Sequence, residues 1–383
     1  MKTVSSAVPI VDSGPTRPGP NRRVNMDRAA VFPLPSVCAA IEDSLNSLDL
    51  EGLLCMADPV VASTLAPFLI EPRFVGRVWG YNDLRPWFDK AAGEDGRSEP
   101  LGEVWLTGDD CRIATGPMAG KPLSDAFRLS PQAMLGASAP SGESPLLIKV
   151  IFAREKLSVQ VHPDDSLARK YGQPRGKTEC WYALAAEPGA RVAVGLKPGV
   201  TMDEVRAGIQ DGSLEQSLNV IPVEPGDMIF VDAGTVHAIW PGSILLETQQ
   251  NCDITYRMFD YGRPRELHVE KSLEATRLAT RAGKVAPIPC DGRTILLDVE
   301  YFRVERLPVN GSRSSSSLAA SDERGAGLSY LFAAAGLGRI EGEGFEAIEL
   351  PARGIACIPA ASPAFNVQDL GELDLIRISP RWP

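Results

Sequence analysis

The chain has 383 residues, 44% hydrophobic and 23% charged, with 39 Lys and Arg against 49 Asp and Glu, a formal net charge of -10. Such a chain can bury a sizeable core and has room for two domains of about 100–200 residues each. The acidic balance argues against a nucleic-acid binder, which needs a basic face, and no apolar run approaches the ~20 residues of a membrane span.

Residues 1–25 are rich in Pro, Gly, Ser and Arg, lack a sustained apolar stretch of the secretory type, and are expected to form a disordered extension. Between 26 and 67, Val37, Ile41, Leu45, Leu48, Leu53 and Leu54 recur near helical spacing, which predicts an N-terminal helical segment. From Phe68 the texture changes to short apolar runs broken by Gly, Pro, Asp and Asn. PLLIKVIFA (145–153), KLSVQVHP (156–163), ECWYALAA (179–186), ARVAVGL (190–196), DMIFVDAG (227–234) and SILLETQQ (243–250) read as strands, several with period-two alternation. Many short strands at close intervals predict a mainly β fold, an antiparallel sandwich or barrel. Helical patches at 202–218 and 266–280 interrupt it, and strand texture resumes after a Ser-rich, charged stretch at 311–327. The glycines of GLGRIEGEGFE (336–346) miss the G-x-G-x-x-G spacing of a phosphate loop and predict hairpin turns.

Cysteines stand at 38, 55, 111, 180, 252, 290 and 357, odd in number and without a C-x-x-C pair. They read as buried, reduced thiols of a cytoplasmic protein.

Two of the three histidines sit in strand texture beside other metal-ligating groups. Gln160 and His162 are two apart and share a strand face, as do Lys177 and Glu179, while Cys180 points the other way. His237 is expected to end a strand, just after the turn residues Asp232, Ala233 and Gly234. If neighbouring strands pair, Gln160, His162, Glu179 and His237 can converge as two nitrogen and two oxygen donors. That set suits a borderline-soft divalent ion, with zinc leading and Mn, Fe, Co and Ni compatible by ligand type. Taken singly, His237 reads as a satisfied polar residue and Gln160 as a surface residue; the spacing alone does not favour a metal, and the resemblance that follows is what does. Asp164 and Asp165, behind Pro163, read as caps of the SLARKYG segment, and His268 lies in a helical patch outside the set.

LSVQVHPDD, GKTECWYAL, the PGD…VHA segment and LETQQNCDITYRMFDYGR, in this order, resemble the signature of the type I phosphomannose isomerase family of cupins. RVWGYNDL (77–84), GEVWLTG (102–108), RELHVEKSL (265–273) and the late AIELPARGIACIPA support the resemblance, which covers roughly 68 to 383. It implies two cupin-like β-barrel or jelly-roll domains with helical insertions, a metal-binding catalytic domain at 68–285 and a smaller one at 286–383. It also implies one Zn2+ per chain held by Gln160, His162, Glu179 and His237, and a small-molecule sugar phosphate as partner; the composition argues for neither nucleic acid nor a membrane, and the number of subunits stays open. Arg257 is then the candidate catalytic arginine and Lys177 a second active-site cation, while Ser158 and Lys149 fall at the phosphate end of the pocket.

The implied reaction interconverts mannose 6-phosphate and fructose 6-phosphate through an enediol. A divalent metal can polarise the carbonyl while a buried cation, Arg257, stabilises the developing oxyanion. Lys177 and Glu247 are both candidates for the proton shuttle, since alternation puts Glu247 on one face with Gln249. Relatives with a longer central domain carry a histidine directly before the active-site lysine, where this chain has Gly176, and the extension before 68 has no counterpart in compact bacterial members. The runner-up expectation is a catalytically silent cupin that binds a sugar phosphate as a sensor. Lys177, Glu247 and Arg257 together weigh against it.

Overall fold

A computed structural model of the protein describes residues 65–94, 96, 98–136, 142–318 and 327–381. The expected extension at 1–25, residues 26–64 of the expected helical segment, Cys38, Cys55 and residues 319–326 of the Ser-rich stretch lie outside the described residues.

Antiparallel strands dominate. In chain order they are β1 (Phe68–Ile70), β2 (Arg73–Tyr81), β3 (Leu101–Trp105), β4 (Leu146–Ala153), β5 (Val159–Val161), β6 (Glu179–Ala186), β7 (Arg191–Leu196), β8 (Leu218–Pro222), β9 (Met228–Val231), β10 (His237–Ile239), β11 (Ser243–Gln250), β12 (Tyr256–Phe259) and β13 (Gly283–Val285). Then follow β14 (Ile288–Cys290), β15 (Arg293–Asp298), β16 (Phe302–Pro308), β17 (Ser312–Ser314), β18 (Ser329–Gly342), β19 (Ile348–Leu350), β20 (Ile355–Ile358) and β21 (Phe365–Pro380). They form a seven-stranded sheet ordered β13-β9-β6-β11-β4-β3-β2 and a five-stranded sheet ordered β12-β5-β10-β7-β8. A nine-stranded sheet runs β1-β20-β18-β21-β16-β15-β14, with β17 on β21 and β19 on β18. Its first strand therefore comes from the start of the described chain, Phe68 pairing with Cys357 and Ile70 with Ile355.

Side-chain alternation explains the stacking. The run that forms β4 carries almost no polar residues because all eight of its positions are buried, as a strand covered on both faces requires. Ile148, Val150 and Phe152 join a core with Tyr330, Phe332 and Ile376 of the nine-stranded sheet. Ile151 and Ala153 face the other way, packing with Trp181 and Leu245 of their own sheet and with Val192, Val194 and Ile239 of the five-stranded one. On β5 the outward residues Val159 and Val161 pack with Val205, Ile209 and Leu273, which leaves Gln160 facing the seven-stranded sheet.

Helices fill the insertions: α1 (Leu123–Leu129), α2 (Pro131–Leu135), α3 (Asp165–Lys170), α4 (Met202–Asp211), α5 (Val269–Ala275) and α6 (Ser315–Leu318). The helix α4 starts at a capping box between Thr201 and Glu204, and it and α5 lie within the two patches read as helical from the sequence. The Gly-rich 336–346 segment is a hairpin, with Ile340 opposite Ile348 and Gly344 in the left-handed region. Cys111, Cys180, Cys252 and Cys357 are buried free thiols, but Cys290 is exposed. The expectation of burial fails there because β14 is a sheet edge whose three residues are all exposed.

Candidate active site

The two sheets that face each other bring the singled-out residues together. In the five-stranded sheet the register sets His237 opposite Gln160 on one side and Arg257 opposite Gln160 on the other, so three neighbouring strands present one row of polar side chains. His237 opens β10 instead of ending the preceding strand: β9 stops at Val231, and Asp232 to Val236 turn the chain. Across the gap Glu179 starts β6.

The side chains of His162, Glu179 and His237 are buried, and their ligand atoms all lie within 4.8 Å of one another. His162 Nε2 is 3.5 Å from Glu179 Oε2, and His237 Nε2 is 3.5 Å from Glu179 Oε1. Each imidazole donates its Nδ1–H to a carbonyl, His162 to Ile254 O and His237 to Thr235 O, both at 2.9 Å. A carbonyl can only accept, so these bonds fix the tautomer that leaves the Nε2 lone pair toward the cluster. Gln160 Nε2 lies 3.2 Å from His237 Nε2, and Ser158 Oγ donates to Gln160 Oε1 at 3.1 Å. Turning that amide over presents its oxygen to the cluster while the serine hydroxyl accepts in its place.

Burial sets the electrostatics. It pushes His162 well below the usual histidine range, with Lys177 adding to the effect, and lowers His237 to about 4. Both rings are thus neutral near pH 7, as ligation requires. Burial, reinforced by Glu247, pushes Glu179 up to about 7 against the pull of Lys177. One oxygen, Glu179 Oε1, is buried without a hydrogen-bond partner, which is costly unless a cation shares its site. Two neutral imidazoles, an underserved carboxylate and a turnable amide fit a divalent metal of borderline softness.

A cavity of about 460 Å³ opens beside this cluster, lined among others by Lys149, Ser158, Gln160, Lys177, Trp181, His237, Glu247, Arg257 and Arg265. The Lys177 ammonium is 2.9 Å from His162 Nε2 and 2.5 Å from Glu179 Oε2. Lys149 Nζ lies 2.8 Å from a Glu247 oxygen and 3.9 Å from Glu103. Burial works against that ammonium, but Glu103 and Glu247 outweigh it and hold Lys149 above its ordinary value. Burial likewise opposes the Glu247 carboxylate, yet Lys149, Lys177 and the Trp181 indole N–H at 3.0 Å hold it below the usual range. Arg257 donates from Nη1 to Glu266 O at 2.9 Å, while its Nε is buried without a partner. Its charge is not spent on Asp260, which takes Arg263 and, through two bonds of 2.6 and 2.7 Å, Arg265.

Several lining residues escaped the sequence reading. Arg77 and Trp79 share one face of β2 and lean into the cavity over Gly102, where a Cβ would sit 2.5 Å from Arg77 Cβ and 2.8 Å from the Trp79 ring. Arg77 grips Glu103 through both oxygens at 3.1 and 2.9 Å, and Trp105 Nε1 donates to it at 2.8 Å. The period-two spacing in RVWGY and GEVW was the available signal. Gly176 has a steric cause: a Cβ there would lie 2.6 Å from Pro163 O and 2.5 Å from the Asp164 carbonyl carbon, so a side chain has no room. Asp164 caps α3 by accepting from Leu167 N, as expected, but Asp165 turns to Gly176 and Gln250 instead. His268 binds the Arg257 backbone N–H and stays outside the cluster.

Residues 68–194 match the family described as phosphomannose isomerase type I, catalytic domain. A mannose-6-phosphate isomerase from Streptococcus mutans is 34% identical over 259 residues, 64% of this chain and 80% of the relative. A probable mannose-6-phosphate isomerase from Bacillus subtilis is 33% identical over 261 residues, again 64% of this chain and 80% of the relative. The crystal structure of a Bacillus subtilis mannose 6-phosphate isomerase superposes with a TM-score of 0.72 at 30% identity, covering 82% of this chain and all of that one. Shared sequence over most of these relatives, together with the shared fold, establishes that the chain belongs to the type I phosphomannose isomerase family.

Proposed function

We propose that the protein is a zinc-dependent isomerase that interconverts mannose 6-phosphate and fructose 6-phosphate in the cytoplasm. The observation that carries this reading is the buried His162, Glu179 and His237 cluster beside a cavity lined by Lys149, Lys177, Arg257 and Arg265. A metal site next to several cations suits a phosphorylated sugar that carries a carbonyl and a hydroxyl on the neighbouring carbons C1 and C2. The family relatives, named as mannose-6-phosphate isomerases, support the same activity. A catalytically silent sensor is disfavoured, because binding alone has no use for this set of groups. Among the described residues no helix is long and apolar enough to cross a membrane, and the free thiols agree with a reducing compartment.

His162, Glu179 and His237 would hold the zinc ion, with Gln160 completing four donors. Bound there, zinc supplies Lewis-acid polarisation of the sugar carbonyl. Arg257, which lines the cavity, stabilises the oxyanion as the C2 proton of the aldose is removed. The same proton, or one exchanged with water, is delivered to C1, while the O2 proton leaves and O1 gains one, so the two isomers balance. Lys177 and Glu247, which both line the cavity, are the groups assigned to this transfer. We assign the phosphate to Ser158 and Lys149, joined by Arg265, which its two bonds to Asp260 hold in place. Replacing Arg257 by Ala tests the central role: kcat is expected to fall by about 100-fold or more with zinc content unchanged. Wild-type turnover in that variant would remove Arg257 from the mechanism.

A further inference from the structure

Lys177 lies on an irregular segment between α3 and β6. A proton-transfer group must be held within hydrogen-bond reach of the reacting carbon, and a loosely tethered side chain forfeits much of that gain. One pair of side chains, Asp165 and Gln250, ties the residues flanking Lys177. Gly176 N–H donates to Asp165 Oδ1 at 2.7 Å, and Thr178 N–H donates to Gln250 Oε1 at 2.9 Å. Gln250 Nε2 closes the arrangement by donating to the same Asp165 oxygen at 3.0 Å.

The amides on either side of Lys177 therefore hang from two side chains bonded to each other. The Lys177 N–H itself donates to Pro163 O at 3.1 Å, and Gln250 N–H donates to Thr178 O at 3.1 Å, which fastens the segment to the end of β11. The tight approach at Gly176 belongs to the same arrangement, since a Cβ there would strike the Pro163 to Asp165 backbone. Helix capping does not need Asp165, because Asp164 already performs it. Asp165 Oδ2 stands 3.9 Å from Arg169 Nη1, beyond hydrogen-bond reach, whereas Asp165 Oδ1 accepts both of the bonds described above.

We infer that Asp165, acting through Gln250 and the backbone of Gly176 and Thr178, is a positioning residue that fixes Lys177 for catalysis. The inference rests on the proposed role of Lys177 in proton transfer. In the zinc-loaded full-length protein, Asp165→Ala is expected to lower kcat about tenfold or more, with KM within about twofold and zinc per chain unchanged. Asp165→Asn keeps the oxygen that accepts both bonds and is expected to recover to within about threefold of wild type.

Wild-type kcat in Asp165→Ala, zinc lost in parallel with turnover, or Asp165→Asn as slow as Asp165→Ala would each overturn the inference. Should Asp165→Ala fail to melt cooperatively, Gln250→Ala carries the same expectation, and unchanged kcat there overturns it equally. Lys177→Met separates the two levels. Full activity in Lys177→Met sinks the role of Lys177 itself, whereas an inactive Lys177→Met beside a fully active Asp165→Ala sinks only the positioning role.

Discussion

Lys149 sits between two carboxylates, and its surroundings decide which one holds it. Arg77 and Trp105 already occupy Glu103, so the ammonium is 3.9 Å from Glu103 and 2.8 Å from Glu247. Glu247 is held below the usual carboxylate range because Lys149 and Lys177 outweigh its burial, and it therefore stays charged as pH falls. Replacing Lys149 by Met removes that support, so Glu247 takes up a proton at higher pH. If Glu247 is the base, the acid limb of kcat/KM in Lys149→Met moves to higher pH, and a pH-rate profile that keeps the wild-type limb leaves Lys177 as the shuttle. Stability should also fall, by about 3–5 kcal/mol, since a buried charge loses its partner. The approach of His162, Glu179 and His237 was legible only in part, because Gln160 and Glu179 lie on strands as the alternation expects, whereas His162 follows the end of β5 and Lys177 precedes β6 on an irregular segment. The pairing of Lys149 with Glu247 was not legible, because it depends on cross-strand register, Glu247 lying opposite Lys149 and Trp181.

Elements depend on similar cross-links. Glu215, on the 3-10 turn Leu214–Ser217, accepts from Lys156 Nζ at 2.8 and 3.0 Å, Trp240 Nε1 at 3.0 Å and Tyr261 OH at 2.9 Å. These donors stand just before β5, just after β10 and just after β12, the strands that carry Gln160, His237 and Arg257. Glu215→Ala is expected to cost about 1–2 kcal/mol by leaving three donors poorly served. Burial resists the charge of Glu215, but the hydrogen bonds from Lys156, Tyr261 and Trp240 win and lower its pKa. A lowered folded value means the contribution is complete above the ordinary carboxylate range and fades as pH falls through the lowered one. Melting curves should therefore show the gap between wild type and Glu215→Ala narrowing toward acid; a gap independent of pH contradicts the assignment. Most strands around the site, such as β4, β6 and β11, were readable from apolar runs. The short helices α1 and α2 were not, because they are only seven and five residues long, too short for a helical period to stand out, and Pro131 divides them.

For the whole molecule, the mainly β character was legible in the many short strands, but the stacking of the sheets was not. Phe332 illustrates the difference: its strand lies in the nine-stranded sheet, yet its side chain shares a core with Val150 and Leu246 of the seven-stranded sheet that carries Glu179 and Glu247. No local pattern announces that partner. Phe332→Ala is accordingly expected to destabilise by about 3–5 kcal/mol and to lower the temperature at which isomerase activity is lost, although the residue lies outside the cavity. Thermal inactivation at the wild-type temperature would show that the two sheets do not unfold together. Fold, buried cluster and reaction meet in one experiment, a coupled assay of mannose 6-phosphate conversion to fructose 6-phosphate. Activity is predicted to disappear on chelation and to return with zinc in the wild type, but not in Glu179→Gln. Turnover that survives complete metal removal, or folded zinc-loaded protein that binds the sugar phosphate without converting it, would rule out the zinc-dependent isomerase.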